Sequence, residues 1–339
     1  MIPARAAPPI RNRWTWRSKA FRSVLYQVIA VAVLFAAGAY LLHNTLENMR
    51  LRGIKSGFDF ITQPAGFSIG ESIIPFDSAE SYGKAFVVGL SNTLRVAVAG
   101  IVLATLLGTL IGIGRLSRNT LVRSLCAAYV EFFRNVPLLL QLFIWYFILT
   151  ETLPPIEEAL KPLTNVFFSK NGLQFPIPLW EGGWFSGWDT PEKTELNVVG
   201  GGSVTPEYLT VLFGLTIYTA AYIAEIVRGG IQAVPFGKHE ASAALGLSRR
   251  MEVRLVLLPQ ALRVIIPPVT SQYLNLTKNS SLAVAVGYPD LVSISATALN
   301  QTGRAIECIA LVMACYLTLS LITSALMNLY NRRVRLKDR

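Results

Sequence analysis

The chain has 339 residues, 52% of them hydrophobic and only 15% charged, with a mean hydropathy of +0.45. That balance excludes a soluble globular protein of this size and calls for several membrane spans. The net charge of +11 does not indicate a nucleic-acid partner: Lys and Arg collect beside the ends of apolar runs, as at cytoplasmic span ends, and no basic patch interleaved with aromatics occurs.

Residues Met1 to Ala20 carry Arg5, Arg11, Arg13, Arg17 and Lys19 without an acid. The apolar run Val24 to Leu42 that follows is too long for a signal-peptide core and lacks a small-residue cleavage site, so it predicts an uncleaved first span with its N-terminus inside. His43 to Ala85 is of mixed composition, with Gly, Pro and charges of both signs, and is expected outside as a short extracytoplasmic region. A second span is predicted from Leu94 to Gly114, in which Gly108 and Gly112, four apart, either admit a close helix neighbour or are ordinary membrane-helix glycines. Arg115, Arg118 and Arg123 put its end inside. An amphipathic helix over 121–133 leads to Pro137, and the apolar run Leu138 to Thr150 completes a third span.

Residues 153–205 form the long polar interval, with Pro154, Pro155, Pro162, Pro176 and Pro178 and the tryptophans Trp180, Trp184 and Trp188. Acids outnumber its lysines, which places it outside. Tryptophans beside a bilayer serve as interfacial anchors; the sharper reading is a docking surface for an external protein. The fourth span is predicted from Tyr208 to Val227. Two Glu-x-x-Arg pairs, Glu131 with Arg134 and Glu225 with Arg228, are spaced to meet on one helical face, and an ion pair neutralising charge beside the lipid is the expectation for both.

Between strongly apolar blocks lies Glu240 to Pro259, EASAALGLSRRMEVRLVLLP. Lys238 to Leu245 is rich in helix formers, Gly246 stands where a left-handed residue would stop a short helix, a basic amphipathic stretch Ser248 to Leu258 follows, and Pro259 opens the next apolar segment. Val264 to Gly287 is a broken apolar segment containing Pro267, Pro268, Asn275, Lys278, Asn279, Ser280 and Ser281. Polar groups at membrane depth face a cavity or a bundle interior, so Asn275, Lys278, Asn279 and Ser280 are candidates for a substrate path; alternatively they satisfy backbone groups freed by the prolines or pack against a partner. Tyr288-Pro289-Asp290 makes a turn, Leu291 to Asn300 reads as a re-entrant or interfacial helix, and Ile306 to Leu329 is the sixth span, pinned inside by Arg332, Arg333, Arg335, Lys337 and Arg339. Both termini are therefore expected to be cytoplasmic.

The sequence has no Gly-x-x-x-x-Gly-Lys-Ser/Thr phosphate loop, and no His-Glu-x-x-His, Gly-x-Ser-x-Gly or Cys-x-x-Cys. Cys126, Cys308 and Cys315 lie in apolar or amphipathic stretches without metal spacing and read as small hydrophobes. A transport subunit without its own ATPase site, metal or cofactor is expected.

The order Glu240, Ala241, Gly246, Val256, Leu258, Pro259 resembles the Glu-Ala-Ala signature of bacterial ABC-importer permeases, with Ser242 in place of the second Ala. Glu131-Phe132-Phe133-Arg134-Asn135-Val136-Pro137-Leu138-Leu139 is similar to the Glu-x-x-Arg-Gly-Thr-Pro-Leu segment of permeases for polar amino acids, with Asn135 and Val136 departing from it. Tyr218 to Leu247, Leu258 to Leu291, the extra first span, the long outer loop and Ser56-Gly57-Phe58-Asp59-Phe60 further resemble the larger permeases for general L-amino acid or glutamate, glutamine, aspartate and asparagine uptake. The resemblance covers about residues 20 to 335.

It implies an all-α integral membrane fold with about six spans: a five-helix type I importer core, one extra N-terminal helix and a cytoplasmic coupling helix. The implied organisation is a basic N-terminus (1–22), the extra span with a periplasmic segment (23–85), a permease domain (86–330) containing the insert 153–205 and a coupling loop 228–262, and a basic tail (331–339). It further implies Glu240, Ala241, Ser242, Gly246 and Pro259 as the coupling residues, docking on cytoplasmic ATPase subunits that use ATP and Mg. The other implied partners are a second, different permease subunit and a periplasmic amino acid-binding protein, in a bacterial inner membrane. A self-contained secondary transporter or channel is the alternative, and it leaves the coupling stretch without a role.

Overall fold

The computed structural model describes residues 16, 18–51, 53, 56–181, 183–194 and 197–334; the predicted cytoplasmic charges Arg5, Arg11, Arg13, Arg17, Arg335, Lys337 and Arg339 lie outside the described residues. Two units separate at Gly57. The first contains α1 (Lys19–Leu51), 33 residues or about 50 Å of helix, ample for a bilayer core. Leu34, Phe35 and Leu42 on it are all exposed, as expected of a helix solvated by lipid. It runs past the predicted end at Leu42 because the next turns carry good helix formers and the i,i+4 pair His43–Glu47, 3.3 Å apart.

The second unit is built on α2 (Tyr82–Gly114), α3 (Thr120–Asn135), α4 (Leu138–Phe147), α5 (Pro206–Gln232), α6 (Phe236–Ala244), α7 (Arg249–Glu252), α8 (Leu258–Asn279), α9 (Leu291–Thr302) and α10 (Ala305–Val334). A π-helical turn, Ile148–Thr152, extends α4, another, Val253–Leu257, joins α7 to α8, and a 3-10 segment, Ser280–Val286, extends α8. By length and composition α1, α2, α5, the run Arg249–Val286 and α10 can each cross a membrane; α3 and the run Leu138–Thr152, bent by 105°, form either a broken sixth span or a re-entrant loop. Membrane helices with one N-terminal extra are thus what the structure contains, and among the described residues strands are confined to the insert.

The bend has a local cause. Pro137 drives Val136 into extended backbone (φ −90°, ψ 128°), which ends α3. Gln141, buried on α4, then donates to the carbonyls of Phe133 and Val136 at 2.9 Å each, satisfying helix-end groups that otherwise lack a partner. The core is the contact of α2 with α5. A Cβ on Gly108 would lie 2.7 Å from the Cβ of Ile223 and 2.8 Å from the Ala220 carbonyl, and one on Gly112 would lie 2.7 Å from the Ala224 carbonyl, so of the two readings of this glycine pair the close approach holds. Helix α2 starts at Tyr82 rather than Leu94, capped by the Ser81 hydroxyl accepting from the Lys84 amide.

Residues 153–205 were expected from composition as a polar interval; the structure folds them into strands. β1 (Leu160–Leu163), β2 (Val166–Ser169), β3 (Gly172–Phe175) and β8 (Gly202–Val204) form an antiparallel sheet in the order β1-β2-β3-β8. Alternate residues of β2 and β3 are buried, the period-2 pattern of a sheet with one covered face. β4 (Ile177–Glu181) pairs with β5 (Trp184–Asp189), and β6 (Glu192–Lys193) with β7 (Val198–Val199). Because β8 runs directly into Thr205, the N-cap of α5, the sheet is rooted on the bundle.

Helix α8 corrects the expectation of a broken segment over Val264 to Gly287. It continues through Pro267 and Pro268 to Asn279. Each proline removes one i→i−4 bond, but flanking turns hold the helix, with Thr270 Oγ1 donating to the Ile266 carbonyl at 2.9 Å. The segment tightens only at Ser280–Val286 and ends at Gly287, φ +80°.

Candidate coupling and translocation site

Helix α6 begins after Pro235 and ends at Gly246, whose φ of +67° is the left-handed stop that glycine adopts without Cβ strain. Phe236, Glu240 and Ala244 recur every fourth residue, and with Gly237, Ala241 and Leu245 they form one exposed face; Phe236 and Leu245 are 73% and 79% exposed. Ser242 points the other way, buried, its hydroxyl donating to the Lys238 carbonyl at 2.7 Å. Glu240 and Ala241 thus face outward, Ser242 faces the chain, and Gly246 makes the turn.

Across that turn α6 is braced to α7. His239 Nδ1 lies 2.6 Å from Glu252 Oε1, and Arg249 Nη1 donates to Glu252 Oε2 at 2.8 Å. A π-helical turn then leads without a break into α8, where Pro259 stands at the junction and leaves one helical bond unmade. The coupling segment and α8 are therefore one mechanically continuous path.

On α8, Val264, Pro267, Pro268, Ser271, Asn275 and Lys278 are exposed at helical spacing, so Ser271, Asn275 and Lys278 form a polar stripe on the outside of this single chain. Asn279 is half-buried and Ser280 is buried, its hydroxyl donating to the Thr277 carbonyl at 2.8 Å. The four candidate path residues therefore divide: Asn275 and Lys278 share the open face, and Ser280 satisfies the helix end from within.

At the same end of the bundle as α6, Glu225 accepts from both Arg115 of α2 and Arg228 of α5. The Glu225–Arg228 pair was spaced to meet; Arg115 was not singled out as a partner, because it lies 110 residues away in sequence. The other expected pair is corrected. Glu131 and Arg134 form no ion pair among the described residues; the Arg134 guanidinium sits 5.2 Å from the ring centre of Tyr222, an attraction stronger when desolvated and reached because α3 packs on α5, with Tyr129 Oη donating to the Ile217 carbonyl at 2.8 Å.

The opposite end, from which the insert emerges, carries a second network absent from the sequence reading. Glu71, in the segment before α2, accepts from Arg95 of α2 at 2.5 Å and from the Thr205 hydroxyl, while the Arg95 guanidinium lies 4.1 Å from the Tyr208 ring centre. Asn92, fully buried, donates to the carbonyls of Glu71 and Pro289 at 2.8 and 2.9 Å. Asp59 holds Arg304 through both carboxylate oxygens, Phe60 beside them being buried. Asp290 caps α9 by accepting from the Ser293 amide at 2.8 Å, and burial raises its pKa from 3.8 to about 7. Apart from the Asp290 cap, these partners are 21 to 245 residues apart, beyond the reach of any local spacing rule. Cys308 is buried, Cys126 and Cys315 are half-buried, and all are free thiols.

Residues 100–336 match the family described as "Binding-protein-dependent transport system inner membrane component". The chain belongs to this family. It is 41% identical to the putative amino-acid ABC transporter permease protein YhdX of Escherichia coli (strain K12), over 97% of this chain and 98% of that one. It is 40% identical to the general L-amino acid transport system permease protein AapQ of Rhizobium johnstonii, over 96% of both chains. Similarity at 37% identity extends to the glutamate/glutamine/aspartate/asparagine transport system permease protein BztB of Rhodobacter capsulatus, over 94% of this chain and 95% of that one. A crystal structure titled as an amino acid ABC transporter with histidines superposes with a TM-score of 0.55 at 25% identity, covering 74% of this chain and 95% of the other. As a member of the family the chain is a multi-pass membrane component of an ABC importer, the fold and activity expected from the Glu240–Pro259 stretch.

Proposed function

We propose that the chain is the permease subunit of an ATP-driven, binding-protein-dependent amino acid importer of a bacterial inner membrane, with both termini cytoplasmic. The observation that carries this reading is the path from the exposed face of α6, through the Gly246 turn and the His239–Glu252 brace, into α8, whose open face is polar. An ATPase subunit using ATP and Mg docks on Phe236, Glu240, Ala241 and Leu245; closure of two such subunits pushes α6, and the push reaches the α8 stripe. A second, different permease subunit covers that stripe and closes the passage, and a periplasmic binding protein delivers the substrate at the insert end. The full-length match to chains named as amino-acid permeases supports the substrate class. An amino acid carries an ammonium and a carboxylate; the Lys278 ammonium and the Asn275 amide supply complementary groups on the passage wall.

Uptake of radiolabelled amino acids by cells expressing the complete transporter tests this. Ala241→Trp should abolish uptake while ATP hydrolysis continues, and Asn275→Ala with Lys278→Met should change substrate range or lower uptake. Normal uptake by a well-expressed Ala241→Trp chain would contradict the docking assignment; wild-type uptake and range in the double variant would remove the α8 stripe from the path.

A further inference from the structure

The hairpin β4–β5 differs from the rest of the insert in leaving large aromatic rings uncovered. On β2 and β3 the large residues turn inward, Phe167 being buried and Phe168, Leu173 and Phe175 packing toward the bundle core, whereas β1 leaves only the aliphatic Leu160 and Leu163 exposed. In the hairpin they turn outward, with Trp180, Trp184 and Trp188 exposed by 65%, 82% and 59% and Phe185 by 52%. Strand register puts Trp180, Phe185 and Trp188 on one face, while Trp184, paired with Glu181 one step nearer the turn, projects from the other. Trp180 stands opposite Phe185, and Pro178 opposite Trp188. The rings of Trp180 and Phe185 meet edge to face at 6.2 Å, and those of Phe185 and Trp188 at 5.7 Å. Among the described residues the rings of Trp180, Phe185 and Trp188 meet only each other, and a two-stranded hairpin is marginal in water, so a surface is needed to cover this one.

We infer that the β4–β5 hairpin is a membrane anchor whose aromatic face lies in the interfacial zone of the leaflet beside the insert, holding the insert against the bilayer. Three observations choose lipid over protein as the occupant. First, reach: Ile177, at the hairpin root, packs on Gly202, and three residues on from Gly202 the chain enters the spanning helix α5 at Thr205. That is roughly 10 Å of extended chain, so the hairpin base stands beside the point where the chain passes into the apolar phase. Second, chemistry: tryptophan is the residue of membrane–water interfaces, its ring apolar and its N–H wet, and three of the six tryptophans of the chain fall within nine positions here. Third, charge: the segment 177–189 contains Glu181 and Asp189 but no Lys or Arg. Attachment is then by aromatic burial alone, independent of anionic lipid and of salt, unlike basic interfacial helices. The inference rests on the chain being a membrane protein and not on which substrate it carries.

Depth-resolved quenching decides it. In the full-length chain with Cys126, Cys308 and Cys315 changed to Ser, Trp188→Cys is labelled with a polarity-sensitive fluorophore and reconstituted in phosphatidylcholine vesicles. The inference predicts severalfold stronger quenching by lipids spin-labelled near the headgroup than by lipids labelled at the acyl terminus, and weak quenching by aqueous iodide. It also predicts the same pattern at low and high salt, with or without anionic lipid. Full iodide access with no lipid quenching overturns it, and so does shielding that develops only when a soluble amino acid-binding protein is added, which would make the face a protein dock. Where the label itself disturbs the hairpin, native tryptophan emission is the second readout. In a chain with Trp14, Trp16 and Trp145 changed to Phe, brominated lipid should quench most of the emission, and failure to do so also overturns the inference.

Discussion

The two ends of the helix bundle are built on opposite rules. At the insert end, charged and polar groups find partners within the chain: Glu71 with Arg95 and Thr205, Asn92 with Glu71 and Pro289, and, as a separate pair, Asp59 with the buried Arg304. At the opposite end the residues proposed for coupling are in the open: Glu240 and Ala241 are exposed, while Glu252 and Glu225 are held in ion pairs. One end ties α2, α5, α9 and α10 together through side-chain partners inside the chain; the other presents a short helix with an exposed face. Internal completeness marks what must stay together, and unpaired exposure at a fixed turn marks what must be grasped from outside.

Substitutions can break this contrast, and the largest effect is expected at the insert end as a pH dependence. Burial raises the Asp290 pKa from 3.8 to about 7, so the folded chain holds that proton more tightly than the unfolded chain. Stability is therefore lost as pH rises from about 4 through about 7, by several kcal/mol in all. Asp290→Asn keeps an N-cap acceptor and removes the ionisation; its thermal midpoint in detergent should equal that of the parent near pH 4 and exceed it near pH 8, and a gap independent of pH would refute the assignment. Next, Arg95→Leu leaves the Glu71 carboxylate, 8% exposed, without its cation and should cost about 3 kcal/mol in denaturant titration. Gly108→Val pushes a side chain into the Ala220 carbonyl and should cost about 2 kcal/mol. Gly246→Ala strains a left-handed residue for about 1 kcal/mol, with uptake falling while expression holds. The smallest effect is Arg249→Leu, whose side chain is 73% exposed: its stability should stay within about 0.5 kcal/mol of the parent. A loss as large as that of Arg95→Leu would erase the contrast between the ends.

The parts legible in the sequence were those whose partners are close in the chain. Gly246 sits one helix after Glu240, and Glu225 meets Arg228 three residues on, so spacing alone located them. Apolar length located the spans, though not their ends: α2 reaches back to Tyr82 because Ser81 caps it and the segment around Phe60 covers its first turns. The same spacing rule misassigned Arg134, since helical proximity permits a pair and does not choose between Glu131 and the ring of Tyr222. The Glu71 network was invisible, being assembled from segments up to 197 residues apart. Strands of the insert were hidden by composition, because prolines, glycines and charges mask a period-2 pattern only four residues long.

The measurement that tests the central claim most directly is affinity purification of this chain from its own membranes in mild detergent, with assay of the recovered material for ATP hydrolysis and Glu240→Ala run alongside. The account predicts a co-purifying P-loop ATPase whose recovery drops in the Glu240→Ala preparation while the folded chain is recovered in equal amount. A chain that emerges without an ATPase and transports amino acids in vesicles on an ion gradient alone would contradict it.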